Sequence, residues 1–122
     1  MFNHSGGKDS CLSYDVFKKV LKQLEEENVK LDYVISFANT SNDTADTYKF
    51  IKNNNNIEQD KLRIMNPKEG FYPRIVKNNY YIPTRLERSC CSYYKEGQNK
   101  KEYKINNKYI FILGVRKHES TK

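Results

Sequence analysis

The sequence predicts one small α/β domain, a three-layer α/β/α arrangement around a mostly parallel sheet, and three observations carry that expectation. Phe2 to His4 can end a strand and runs through two adjacent glycines directly into an amphipathic stretch. Leu31 to Ala38 is then a short, mostly apolar run rich in β-branched and aromatic residues, the pattern of a strand covered on both faces. Strand, glycine loop, helix and strand make a βαβ unit. The third observation is size: 122 residues suit a single domain with one core. No internal repeat and no interdomain linker interrupts the chain, so residues 1–122 are read as one unit.

The loop is Ser5-Gly6-Gly7-Lys8-Asp9-Ser10. Two adjacent glycines let the backbone turn tightly and approach a ligand, since neither has a Cβ. Ser5, Ser10 and the unpaired amides at the start of the following helix are donors aimed at one point, where the helix dipole also favours an anion. Lys8 adds a mobile positive charge. The spacing differs from the common G-x-x-x-x-G-K-[ST] loop, because here the lysine follows the second of two adjacent glycines and an aspartate comes next. Asp9 either holds Mg²⁺ between phosphates or favours the helix start by its charge, and the sequence leaves both readings open.

From Cys11 to about Glu27, Leu12, Val16, Val20, Leu21 and Leu24 recur at three- and four-residue spacing and predict the buried face of a helix. Asp15 near its start suits the dipole, whereas Glu25-Glu26-Glu27 at its end do not. Cys11 reads as a small packed residue rather than a reactive one. Asn39 to Thr47 is polar turn chemistry leading into a second helix, with Asp43 or Thr44 as its N-cap. Tyr48, Ile51 and Phe50 are the expected core positions, and Asn53 to Asn56 end the helix. Asn39 and Thr40 lie just past a strand's carboxyl end, the edge where open α/β sheets bind ligands.

Lys61 to Met65 predicts a third strand, stopped by Asn66-Pro67, and Phe71 to Lys77 a brief helix with Pro73 in its first turn. Ile82 to Lys95 is dense in cations, hydroxyls and thiols. Lys101 to Ile112 predicts two strands around an Asn106-Asn107 turn. The second, Tyr109 to Leu113, delivers Val115 to Ser120 to the sheet edge that carries the glycine loop.

Composition bounds the function class. Ten Tyr and six Phe compensate for a low aliphatic content, so the chain is expected to be globular. It has no apolar run of about 18 residues and no charged-then-apolar leader, so a cytoplasmic protein without a membrane partner is expected. Three cysteines, two of them adjacent, do not make a disulfide framework, which fits a reducing compartment. Residues 1–60 hold seven Lys/Arg and ten Asp/Glu, and residues 61–122 hold fifteen and five, so the halves carry −3 and +10. A basic half opposite a phosphate loop suits a polyanionic small molecule and would equally suit nucleic acid.

Four blocks then fall in a recognisable order. Ser5–Ser10 resembles the SGGxDS loop of the PP-loop ATP pyrophosphatases, and Asn39–Tyr48 the NTGxExxET(Y/F) segment. Thr84–Lys95 is similar to a region in which Arg precedes one or two Cys and then Lys, and Leu113–Ser120 to the LG(V/I)RxxES signature. In this order they resemble the phosphoadenosine phosphosulfate (PAPS) reductase family, within the adenine-nucleotide α-hydrolase-like fold, over nearly the whole chain.

The resemblance implies an adenine nucleotide as ligand: PAPS, adenylyl sulfate or ATP. Ser5, Gly6, Gly7, Lys8, Asp9 and Ser10 would hold its phosphates, and Asn39 and Thr40 would lie near the adenosine. Arg88, Lys95 and Arg116 would neutralise phosphate or sulfate oxygens, since an Arg fork donates two charge-assisted hydrogen bonds. Cys90 and Cys91 would be the catalytic thiols, with Arg88 and Lys95 lowering a thiol pKa, and a thioredoxin-like protein the reductant. Asp9 would be the metal ligand, for Mg²⁺. His4 and His118 are read as bystanders, and Glu119 as a charge partner or turn cap.

Departures temper the reaction expected. The reductases carry a nucleophilic cysteine on a Glu-Cys-Gly-Leu-His tail, whereas this sequence stops at Lys122, so a fragment or a reduced relative is expected. Ser41 stands where the second block usually has glycine. A 4Fe–4S cluster needs four ligands, and only Cys11 joins Cys90 and Cys91, so a complete cluster within this chain is not expected. The alternatives are a PP-loop enzyme that adenylates an acceptor, nucleic acid among them, and a non-catalytic nucleotide-binding module. The small core and a missing edge strand predict a weak tendency to dimerise.

Overall fold

A computed structural model of the chain describes residues 1–84, 86–100 and 110–115. Its strands are β1 (Phe2–Asn3), β2 (Ile35–Ala38), β3 (Leu62–Met65) and β4 (Ile112–Leu113), all parallel, in the spatial order β3-β2-β1-β4. Its helices are α1 (Lys8–Glu26), α2 (Ala45–Asn53), α3 (Phe71–Lys77) and α4, over residues 89–100, with a π-helical stretch at Cys91–Glu96. This is a small α/β fold with an all-parallel sheet. A short 3₁₀ turn, Gln59–Lys61, leads into β3. The expected hairpin about Asn106-Asn107 lies outside the described residues, and of the strand expected from Tyr109 only Ile112–Leu113 is strand among them.

Strand order sets where the sheet offers a crevice. The chain steps outward from β1 to β2 to β3, then crosses back to lay β4 on the other side of β1. The direction of winding therefore reverses between β1 and β4, and crevices at such a reversal lie outside the carboxyl ends of the strands. Phe2 and His4 face α1, through Tyr14, and Phe37 faces α2, through Tyr48. Side chains alternate along a strand, so Asn3 and Ser36, which are register partners, share the opposite face.

The core is aromatic. Phe2, Tyr14, Ile35, Phe37, Ile51 and Ile57 are buried together, with Phe17, Tyr33 and Tyr48 packed against them. Phe2 stacks on Phe17, and Phe17 meets Tyr33 edge-on, each at 5.3 Å between ring centroids. This corrects the face expected for α1. Leu12, Val16 and Val20 are exposed (67%, 54% and 44%), and the buried side runs through Ser10, Tyr14, Phe17, Leu21 and Leu24. Both stripes have helical spacing. The one carrying two aromatic rings buries more area and wins. On α2 Tyr48 and Ile51 turn inward as expected, and Phe50 stays exposed.

Helix ends explain two further residues. Glu25-Glu26-Glu27 oppose the dipole of α1, and the terminus is instead closed by Asn28 in the left-handed region (φ 61°), whose amide donates to the Glu25 carbonyl at 3.0 Å. The Val29 amide donates to the Leu24 carbonyl at 2.8 Å, completing a Schellman closure. Ser41 also has positive φ (58°), which accounts for the glycine usual there in the family's second block. Its hydroxyl compensates by accepting from the Phe71 amide at 2.6 Å, at the start of α3.

Candidate functional site

β1 ends one residue before the loop, and the loop's shape follows from Gly6, whose φ of +81° disfavours any side chain. A Cβ there would also meet the Thr47 methyl at 2.9 Å. His4, only 2% exposed, holds the bend: its Nδ1 accepts from the Gly6 amide at 3.0 Å. That bond requires the neutral ring with its proton on Nε2, and burial lowers the His4 pKa below the ordinary histidine value. His4 is therefore a structural pivot of the loop, which corrects its reading as a bystander.

The donors of the loop are partly spent on the loop itself. The Ser5 hydroxyl donates to the Ser10 hydroxyl at 3.0 Å, and that hydroxyl donates to the Gly7 carbonyl at 2.8 Å. The Gly7 amide makes a long bond, 3.4 Å, to the Ser5 oxygen. The two glycine amides thus serve the bend, and α1 itself cannot pair its first-turn amides internally. Lys8 is exposed beside them.

A cavity of about 300 Å³ opens at the carboxyl ends of β2, β1 and β4. Ser5 and Ser10 line it from the loop, Asn3 and Ser36 from the strands, Thr40 and Asp43 from the segment after β2, and Lys95 and Asn99 from α4. Gly114 closes the β4 side. A Cβ on it would meet the Ser13 oxygen at 2.7 Å and the Asp9 carbonyl at 3.2 Å, so only glycine lets β4 approach the first turn of α1 this closely.

Of the residues expected to act, Ser5, Ser10, Thr40 and Lys95 are brought to this cavity. Gly6, Gly7, Lys8 and Asp9 belong to the loop and first turn that border it, without lining it. Asn39 serves the scaffold: its Oδ1 accepts from the Ser41 amide (2.7 Å) and the Tyr48 hydroxyl, and its Nδ2 donates to Asn66 (2.8 Å). Arg88 is exposed and its carbonyl accepts the first amides of α4, from Cys91 and Ser92. Arg116, His118 and Glu119 lie outside the described residues.

The thiols fall elsewhere. Cys90 lines a separate pocket of about 20 Å³ against α3, with Phe71, Arg74 and Tyr94, and neither it nor Cys91 lines the larger cavity. The Cys91 pKa is raised, by burial first and by Cys90 next; Lys95 and Arg88 pull it down and are outweighed. The two cations act there in the expected direction, but burial and the neighbouring thiol outweigh them. Cys11 is half-buried, its sulfur 3.8 Å from His4 Nε2, and its pKa is likewise raised by burial and by Asp15. Among the described residues no group of three His, Cys, Asp or Glu is placed to hold a metal.

Sequence reasoning alone does not mark Asn3, Ser36, Asp43 or Asn99 as residues of this cavity. For Asn3 and Ser36 a signal existed: each is a polar residue inside an apolar strand, and the Ser36 hydroxyl donates to Asn3 Oδ1. On α4 Tyr94 and Gln98, four residues apart, are buried, while Lys95 and Asn99, the next residue after each, line the cavity. Gln98, 6% exposed, donates to the carbonyls of Asn39 (3.1 Å) and Tyr94 (2.9 Å), latching α4 onto the segment after β2.

Among the described residues no helix is long and apolar enough to cross a membrane. Neither a curated protein nor a solved structure matches the chain. The family model for the phosphoadenosine phosphosulfate reductase domain matches residues 1–122, the whole of the chain whose loop, sheet reversal and cavity are described above, and the protein belongs to that family.

Proposed function

We propose that this protein binds an adenine nucleotide in the cavity at the carboxyl edge of the sheet, with the phosphoryl end against the first turn of α1. The observation that carries this is the convergence of Ser5, Ser10 and Lys95 on one cavity at the point where the sheet reverses its winding. Its volume suits a nucleoside phosphate. Lys95 supplies a charge-assisted contact to a phosphate or sulfate oxygen, and Mg²⁺ held by Asp9 would serve the same anion.

In this family such a ligand would be a sulfonucleotide, and its thiol-dependent reduction to sulfite is the reaction that membership favours. Cys90 and Cys91 are the chain's adjacent thiols, with a thioredoxin-like protein as the outside reductant. Because neither thiol lines the cavity, a second reading has support as well: ATP bound at the same place, adenylating an acceptor with release of pyrophosphate. The basic half of the chain would suit a nucleic-acid acceptor.

Isothermal titration calorimetry with ATP and with adenylyl sulfate tests the shared part. Saturable binding that weakens about tenfold in Lys95→Ala is expected; no binding of either nucleotide refutes the proposal. Thioredoxin-dependent sulfite release then marks the reductase, and ATP–pyrophosphate exchange the adenylating enzyme.

A further inference from the structure

A cavity for a polyanion has no evident use for a carboxylate in its wall, yet Asp43 lines it. The side chain is not needed as the cap of α2, because Thr44 fills that role, accepting from the Thr47 amide. It is held in place: Asp43 Oδ2 accepts from the Thr40 hydroxyl at 2.6 Å, and that hydroxyl oxygen accepts from the Asn42 amide at 3.3 Å. Thr40 lines the cavity too, so the carboxylate is oriented by a neighbour in the same wall. Among the described residues Lys95 is the one Lys or Arg lining the cavity, and it stands on a different element, α4.

A carboxylate offers acceptors and no donor. The part of an adenylate that matches it is the ribose, whose vicinal hydroxyls are two donors. A phosphate on the 3′ oxygen removes one of those donors and sets like charges together.

We propose that Asp43 reads the ribose of the bound nucleotide, accepting from its 2′,3′-diol and rejecting nucleotides phosphorylated at the 3′ position. The inference rests on the adenine-nucleotide reading above and narrows it. The substrate class becomes a 5′-adenylate with an unmodified ribose, such as ATP or adenylyl sulfate, rather than a 3′-phosphoadenylate.

Calorimetry on the full chain, wild type and Asp43→Asn, tests this with AMP, 3′-deoxy-AMP and 3′-phosphoadenosine 5′-phosphate. Wild type should bind AMP at least about tenfold more tightly than either analogue, since hydrogen bonds to a charged group are worth about that or more. Asp43→Asn should shrink both ratios severalfold, chiefly by binding the 3′-phosphate better. Asp43 is exposed, so the variant should fold, which circular dichroism checks. Wild-type binding of the 3′-phosphorylated nucleotide as tightly as AMP overturns the inference and leaves the cradle standing. Ratios unchanged in Asp43→Asn also overturn it, as does a loss of affinity confined to buffers with Mg²⁺, which would make Asp43 a metal ligand. If none of the three nucleotides binds wild type, the cradle itself falls, and this inference with it.

Discussion

Replacing each glycine of the loop by alanine separates the conformation of the bend from its approach to a ligand. At Gly6 the backbone is left-handed, which costs about 1–2 kcal/mol for a residue with a Cβ. The added methyl also lies 2.9 Å from Thr47 Cγ2, and moving a packed side chain costs about 1–3 kcal/mol. Gly6→Ala should therefore destabilise by about 2–5 kcal/mol, a large part of a small domain's stability. The melting temperature should fall by on the order of 10 °C. At Gly7 φ is −86° and ψ is 167°, ordinary extended backbone, and a Cβ would meet only Ser5 Oγ, at 3.5 Å. Alanine is a poorer N-cap than glycine, but it also restricts the unfolded chain, so Gly7→Ala should stay within about 1 kcal/mol of wild type. Being exposed beside the first-turn amides, it should instead weaken nucleotide binding. Thermal unfolding followed by circular dichroism, with ATP calorimetry on each variant, reads both effects. If Gly6→Ala melts with wild type, or Gly7→Ala costs as much as Gly6→Ala, the account of the bend is wrong.

Ser41→Ala keeps a Cβ at positive φ and loses the bond to the Phe71 amide, so chemical denaturation should show a loss of about 1 kcal/mol, whereas Ser41→Gly relieves the backbone and should be nearly neutral. Because burial depresses the folded pKa of His4, the unfolded chain binds the extra proton first. The stability His4 contributes is present above its unfolded value near 6.5 and is lost as pH falls from there through the folded value. Melting temperatures from pH 8 to 5 should show that decline, and His4→Gln should flatten it; an unchanged slope in the variant would assign the decline to other groups. The raised pKa of Cys91 predicts slow alkylation by iodoacetamide at neutral pH, slower than for a free cysteine. Mass-spectrometric mapping that finds Cys91 modified first would contradict it.

Much of the scaffold is legible from local chemistry. The glycine pair between an apolar triplet and an amphipathic stretch places a strand–loop–helix unit, Thr44 is a ready N-cap, and Pro73 is tolerated in the first turn of α3, all as the structure has them. Where local reading fails, competition between neighbours decides. Two helical stripes exist on α1, and only packing against Phe2 and Tyr33 shows that Tyr14 and Phe17 outbid Leu12 and Val16. α4 has no clear periodic signal because its buried face pairs Tyr94 with a polar residue, Gln98, and such signals depend on apolar residues.

Sequence alone determined the family, the mostly parallel α/β class and the glycine loop at the end of the first strand, because glycine spacing and strand composition act over a few residues and do not depend on distant partners. Tertiary structure alone decided which polar groups share a cavity. Thr40 and Asp43 come from beyond β2, Lys95 and Asn99 from α4, and Gly114 from β4, and their meeting depends on sheet order and on the Gln98 latch. It also decided that Asn39, a ligand candidate by position, is spent on the scaffold, and that burial outweighs two nearby cations at Cys91. The physical reason is the same in each case. Hydrogen-bond satisfaction and desolvation depend on everything within a few ångströms, and in a folded chain those neighbours are mostly far away in sequence.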